Sequence, residues 1–260
     1  MKIIEVIDQN TNYSFSFYDN YDGVILREFE GFEYSPVRSS IEPVAGPQSG
    51  IYVTSKFGPR IMSWVGDLVG ESIFTNRRLL LQAMRQEGRI KLIKFTTYDD
   101  LELQCEAEIT KIVFPYTHQI HTFLVEATAP DWRFYSQSQT DVSSANSTQN
   151  VTNNGNEKTD PVIRIHGPFT SVTVTNLSTS QTFTITLDEY TEIAESEYIE
   201  INVKERTVKN DSGESLFAYF SGDFMDLQPG VNTIQFSPVG GDEYGNTSLE
   251  FIYRDAYNGI

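Results

Sequence analysis

The chain has one cysteine in 260 residues, so no disulfide can form within it. It has two tryptophans, Trp64 and Trp132, and three histidines, His118, His121 and His166. No window approaches the run of roughly 18 apolar residues that spans a bilayer. The opening MKIIEVIDQNTNYSF has an apolar run too short for a signal peptide, and it carries Glu5 and Asp8. The expected setting is a soluble protein made in a cytoplasm. Positive charge is also scarce. Residues 1–140 hold 13 Lys and Arg against 18 Asp and Glu, a net of −5, and residues 141–260 hold 6 against 18, a net of −12. A surface that acidic repels phosphate backbones and anionic lipid, which disfavours binding to nucleic acid or a membrane.

Catalytic signatures are missing as well. There is no Gly-x-Ser-x-Gly elbow, no phosphate-cradling glycine loop and no His-Glu-x-x-His. His118 and His121 stand three apart between strands with no third ligand adjacent, so solvated loop histidines are the expectation. The acidic runs Asp188, Glu189, Glu192, Glu195, Glu197 and Asp242, Glu243 lack the spacing of a calcium loop, and read as solvated faces. Cys105 alternates with Leu101 and Leu103, the pattern of a buried small hydrophobe. No cofactor or metal is expected. Tyr190, Tyr198, Tyr219 and Tyr244 are the candidates for a saccharide platform, although rim tyrosines are the plainer reading. A paired-carboxylate glycosidase is the remaining enzymatic alternative.

What is present is strand. KIIEVID and YSFSFYD flank QNTN as a hairpin would, and GVILREFEGFEY follows. Residues 35–50, with three Pro and two Gly, read as a long loop, a feature usually functional or interface-forming in a compact domain. Residues 75–88 carry the one helix, assigned to 76–87. It is capped by Thr75 or Asn76, has Leu79, Leu80, Ala83 and Met84 on its apolar face, and stops at Gly88. Arg77, Arg78 and Arg85 lie on its other faces, as a solvated surface or a docking surface for a partner. IKLIKFTT and LELQCEAEI meet at Tyr98-Asp99-Asp100 as a hairpin. Residues 136–160 are polar and read as a linker, which divides the chain into a domain 1–140 and a domain 141–260. Beyond that point Val172/Val174, Phe183/Ile185/Leu187 and Ile199/Ile201/Val203 alternate with polar residues, the mark of antiparallel sheets packed as a sandwich or jelly roll.

The order of these features resembles the distal tail proteins of siphophages, the siphovirus-type tail component family. The resemblance rests on RIMSWVGDLVGES, the helix NRRLLLQAMRQEG and the hairpin IKLIKFTTYDDLELQCEAEI in the first half. In the second it rests on NNGNEKTDPVIRIHG, FMDLQPGVNTIQF and LEFIYRDAYNGI. It implies a mostly β fold: a tail-tube-like N-terminal β-sandwich or barrel with one helix, and a galectin-like or carbohydrate-module-like C-terminal β-sandwich. It implies a non-enzymatic structural hub at a phage tail tip. Six copies would form a ring that joins the tail tube protein to a tail-associated lysin or fibre, and in some phages to receptor-binding proteins, with DNA passing through the channel unbound. Closed rings need heterologous contacts. Arg38, Ile41 and Val44 of the long loop and Asp99 and Asp100 of the hairpin turn are the expected ring interface. The second domain has no tryptophan, so protein docking is expected of it rather than sugar binding. The alternative is a carbohydrate-binding or adhesion module of a bacterial surface protein.

Overall fold

The computed structural model describes residues 3–18, 23–33, 37–43, 50–84, 90–115, 121–187, 193–240 and 247–260; for 38–43 and 50–55 it describes backbone only. The chain divides into two compact units, Met1–Gln137 with Tyr257–Ile260, and Ser138–Ala256.

The first unit contains β1 (Ile3–Ile7), β2 (Ser14–Tyr18), β3 (Val24–Glu30), β4 (Val37–Pro43), β5 (Gly50–Phe57), β6 (Arg60–Leu68), α1 (Ile73–Ala83), β7 (Ile90–Thr96), β8 (Glu102–Val113), β9 (His121–Ala129) and β10 (Phe134–Ser136). Seven of the strands form an antiparallel path in the order β2-β1-β7-β8-β9-β6-β3, with β10 paired to β8. The end strands β2 and β3 approach each other, yet no hydrogen-bonded ladder joins them among the described residues, so the sheet curls without closing into a barrel. Period-two alternation explains the curl's interior. Ile4, Val6, Phe17, Trp64, Ile93, Phe95, Leu103, Cys105 and Phe123 all point into one core, with α1 contributing Leu80 and Ala83. Phe17 meets Trp64 edge-on at 5.8 Å and lies 5.2 Å from Phe123.

Cys105 is buried, and that burial pushes its thiol up to about 12. A thiol held protonated and sealed off cannot be a nucleophile. Ellman's reagent at pH 8 is therefore expected to leave the native chain unlabelled and to titrate one thiol in urea. Rapid labelling of the native chain would contradict this packing.

Three sequence expectations are corrected here. First, the helix runs from Ile73 to Ala83, one turn earlier than 76–87, with Ser72 rather than Thr75 or Asn76 at its cap position. Asn76 sits inside the helix, and its side-chain amide donates to Gly23 O at 3.4 Å. Leu79 stays exposed while Leu80, Ala83 and Met84 are buried, because the sheet contacts a narrow stripe of the helix. Gly88 and Arg85 lie outside the described residues. Second, residues 35–50 are not simply a loop. β4 and β5 pair over Val37↔Phe57 to Pro43↔Gly50 as a separate two-stranded ribbon, with a register shift at Ser40/Ile41. Third, the polar run 136–160 is not a linker. It holds β11 (Thr140–Ser144) and β12 (Thr148–Asn153), and each is a full member of a sheet.

The second unit continues with β13 (Val162–His166), β14 (Ser171–Asn176), β15 (Gln181–Thr186), β16 (Tyr198–Asn202), β17 (Thr207–Asn210), β18 (Phe220–Gly222), β19 (Gly230–Val239) and β20 (Ser248–Tyr253). Five strands make each layer of a sandwich: β11-β20-β13-β16-β17, and β12-β19-β14-β15-β18. Ile163, Ile165, Val172, Val174, Phe183, Ile185, Ile199, Ile201, Phe236 and Phe251 fill the space between them. After β21 (Ala256–Tyr257) the chain rejoins the first unit, where Tyr257 packs on the core and Ile260 N donates to Phe32 O at 3.1 Å.

Candidate assembly surfaces

The β4–β5 ribbon is the most distinctive feature of the first unit. A two-stranded ribbon is marginal on its own, so its root must be fixed by the body it leaves. Arg60, the first residue of β6, does this. Its guanidinium is almost wholly buried and donates to Gly31 O (2.9 Å) and Glu33 O (2.6 Å) ahead of β4, and to Trp132 O (2.8 Å). It also lies 4.1 Å over the Phe134 ring. Burial lowers its pKa to about 10, which still leaves it charged at neutral pH. On the other side of the root Phe57, the last residue of β5, stacks on Trp132 at 3.9 Å. Arg60→Met removes three carbonyl partners from a buried site and is expected to cost the first unit about 3 kcal/mol. The measurement is urea unfolding followed by tryptophan fluorescence. Because both tryptophans lie in the first unit, that signal reports on it alone. A loss below about 1 kcal/mol would mean the carbonyls find other donors.

Of the residues expected at a ring interface, Arg38 and Ile41 lie in β4, whose side chains beyond Val37 are not described, and Val44 lies outside the described residues. Asp99 and Asp100 are exposed at the β7–β8 turn. The turn is built locally. Thr97 Oγ1 hydrogen-bonds Asp99 and receives Leu101 N at 3.0 Å, while Asp100 takes a left-handed backbone (φ 66°) that Asp tolerates. Arg77 lies 4.5 Å over the Phe114 ring and Arg78 is exposed. His121 opens β9 rather than lying between strands, and faces Phe74 edge-on at 5.5 Å; His118 is outside the described residues.

In the second unit, three segments separated by up to about a hundred positions meet. Asn153 donates from Nδ2 to Glu157 O (2.8 Å) and Leu227 O (3.2 Å), and its Oδ1 accepts from Gly155 N (3.0 Å). Asn154 reaches Asp255 twice, backbone N to Oδ1 at 2.8 Å and Nδ2 to Oδ2 at 3.1 Å. Lys158 pairs with Asp226 at 2.9 Å, and Thr159 donates its hydroxyl to Arg254 O at 2.8 Å. Asn232, buried, donates to Gln228 O (2.8 Å) and Gly230 O (3.2 Å) and accepts from Gln228 N (3.0 Å) and Asn176 Nδ2 (3.1 Å). The stretches NNGNEKTDP, LQPGVN and YRDA thus form one polar lock that closes the sandwich. Their polar groups are turned to backbone groups and side chains of the domain itself.

The outer face of the β20-β13-β16 sheet carries an ordered polar row. Arg164 stands between Glu200 (3.0 Å) and Glu250 (3.8 Å), and His166 is 3.4 Å from Glu250. Tyr198, a candidate platform, lies beside them, 5.2 Å from the Arg164 guanidinium. Tyr219 is half-buried, and Tyr190 and Tyr244 are outside the described residues, as are Asp188, Glu189, Glu192, Asp242 and Glu243. Among the described residues no three His, Cys, Asp or Glu side chains are grouped as metal ligands would be, and no helix is long and apolar enough to cross a membrane.

Residues 154–257 match the family model of the siphovirus-type tail component, C-terminal domain. The fold is similar to the crystal structure of the Dit protein of phage SPP1, described as a paradigm of the hub adsorption apparatus in phages infecting Gram-positive bacteria. The TM-score is 0.70 at 13% identity, over 96% of this chain and 98% of that one. The baseplate of phage P2 in its activated conformation with Ca matches at a TM-score of 0.48 and 11% identity, over the full length of both chains. A comparison with curated proteins finds no match.

Proposed function

We infer that this chain, a siphovirus-type tail component by its residues 154–257, is a structural hub of a bacteriophage tail tip or baseplate. The family match carries the reading, and a fold shared with SPP1 Dit along nearly the whole chain supports it. In this reading six copies of the first unit tile into a ring continuous with the tail tube. The ring holds a tail-associated lysin or fibre on its far side and leaves a channel through which DNA passes. The chain is a virion component made in the host cytoplasm, and it catalyses no reaction. The net −5 of residues 1–140 suits such a channel, because an acidic wall does not retain a polyanion in transit. The second unit serves as a docking body for further tail proteins, receptor-binding proteins among them. Its polar lock uses the family motifs for internal closure, so recognition falls to its outer faces and loops.

Negative-stain imaging tests this. Purified chain incubated with tail tubes of its own virion is expected to form sixfold rings that cap one tube end. Tube ends left bare at saturating protein would overturn the hub reading. Millimolar or tighter binding of the second unit to a saccharide on a glycan array would instead favour a carbohydrate-binding module.

A further inference from the structure

Helix α1 covers the sheet with one stripe and leaves three large apolar side chains outside it. Phe74 is 75% exposed, and Leu79 and Leu81 are each 44% exposed. Phe74, Arg78 and Leu81 stand at i, i+4 and i+7, on one outward face. Arg77 over Phe114, and His121 against Phe74, extend that face onto the ends of β8 and β9. The helix has two arginines and no acid, and neither arginine forms an ion pair with a described residue. Three large apolar side chains exposed on one short helix, set among Thr75, Asn76, Arg77, Arg78 and Gln82, are a patch that belongs under a partner. A cationic patch on a chain of net charge −17 marks that partner as acidic.

The chain itself offers the complement. The β7–β8 turn presents Tyr98, 62% exposed, beside exposed Asp99 and Asp100. It is a knob with an aromatic ring and two carboxylates on a turn fixed by Thr97. Knob and patch lie at opposite ends of β8, a strand of twelve residues. At about 3.3 Å per residue they stand roughly 40 Å apart, so one copy cannot satisfy the pair within itself. We propose that the Tyr98-Asp99-Asp100 knob of one copy docks on the Phe74/Arg77/Arg78/Leu81 patch of the next. The contact is heterologous, head to tail, and repeats from copy to copy. It deepens the hub reading and rests on it, by naming which surfaces of the first unit bring copies together.

The test is a charge exchange in the full chain, with assembly followed by sedimentation velocity and native mass spectrometry. Arg78→Glu alone and Asp100→Arg alone are each expected to weaken self-association roughly tenfold or more, and the two mixed in equal amounts or combined in one chain to restore much of it. Asp100→Asn, which keeps the left-handed backbone, separates lost charge from a disturbed turn, and unchanged thermal unfolding of each variant shows that the fold is intact. Phe74→Ser is expected to weaken association without lowering the unfolding temperature. Assembly indifferent to all four substitutions overturns the proposal and leaves the hub reading standing. A wild-type chain that stays monomeric at high concentration overturns the knob-and-patch contact, while capping of tubes by that same chain would still support a hub.

Discussion

Lys91→Met is expected to destabilise the first unit by about 3–5 kcal/mol, the cost of leaving a buried charge without its partner. Lys91 points into the core from β7 beside Ile93 and Phe95. Its ammonium donates to Asp8 Oδ2 at 2.7 Å, and both side chains are fully buried. Burial works against the Asp8 carboxylate, but the hydrogen bond from Lys91, the Asn10 amide and the lysine's charge together outweigh it and bring the pKa down to about 2 from 3.8. That direction fixes the pH dependence. The pair's contribution is complete above about pH 5 and is lost as pH falls from about 4 to 2, an effect of about 2 kcal/mol. In Lys91→Met the lysine's hydrogen bond and charge are gone and burial is opposed only by the local hydrogen bonds from Asn10 and Thr11, so the acid form is favoured more than in the parent chain and the penalty of the substitution should shrink toward low pH. The double variant Asp8→Leu/Lys91→Met should recover most of the lost stability, since an apolar pair often replaces a buried ion pair at little cost. Tryptophan fluorescence in urea at pH 7 and pH 3 measures all three. A single variant that loses under 1 kcal/mol at pH 7 would show that the Asp8 carboxylate reaches water when unpaired.

Gly155→Val is expected to disrupt the second unit as strongly. A Cβ at Gly155 would stand 1.9 Å from Ala256 O and 2.7 Å from that residue's carbonyl carbon and amide nitrogen. All three are backbone atoms, which cannot swing aside as a side-chain tip can. Either the chain near Ala256 moves and breaks the Asn153, Asn154 and Thr159 contacts, or the loop at 154–158 leaves its place. Overpacking of this kind costs about 3 kcal/mol or more, and the smaller Gly155→Ala should already show most of it. The second unit has no tryptophan, so calorimetry or far-ultraviolet circular dichroism must follow it. The expected result is a second-unit transition shifted well down, with the tryptophan-detected transition little changed. An unchanged calorimetric profile would mean that the close approach at Gly155 is readily relaxed.

These two sites also show what could be read from residue order. Alternation located the strands of the second unit from Val172 to Val203 and placed Cys105 inside, because period two is a local signal. The hairpin turn at Asp99–Asp100 and the existence of one helix were equally local. The polar lock was hidden because Asn, Thr and Gly have the same composition whether they solvate a loop or satisfy buried backbone groups. Asn153, Thr159 and Asn232 are buried through partners far off in the chain. The start of α1 is ambiguous in the sequence because Ser72, Thr75 and Asn76 are all cap-type residues and no acid in the first turn singles out Ser72. The ribbon at 37–57 was masked by its prolines and glycines, and a ladder between Val37 and Phe57 depends on register rather than propensity. Lys91 and Asp8 were invisible as a pair because 83 positions separate them.

The return of Tyr257–Ile260 to the first unit sets an order of events during synthesis. Tyr257 belongs to the first core, and Ile260 is bonded to Phe32, so the earliest-made body waits for residues made after the whole sandwich. The sandwich between them has every one of its strands up to Tyr253 once the ribosome has passed that residue. It can therefore mature while its neighbour is still unfinished. A nascent chain not yet past Ile260 would then lack the seal on the very body proposed to tile, which delays polymerisation until both units have been made.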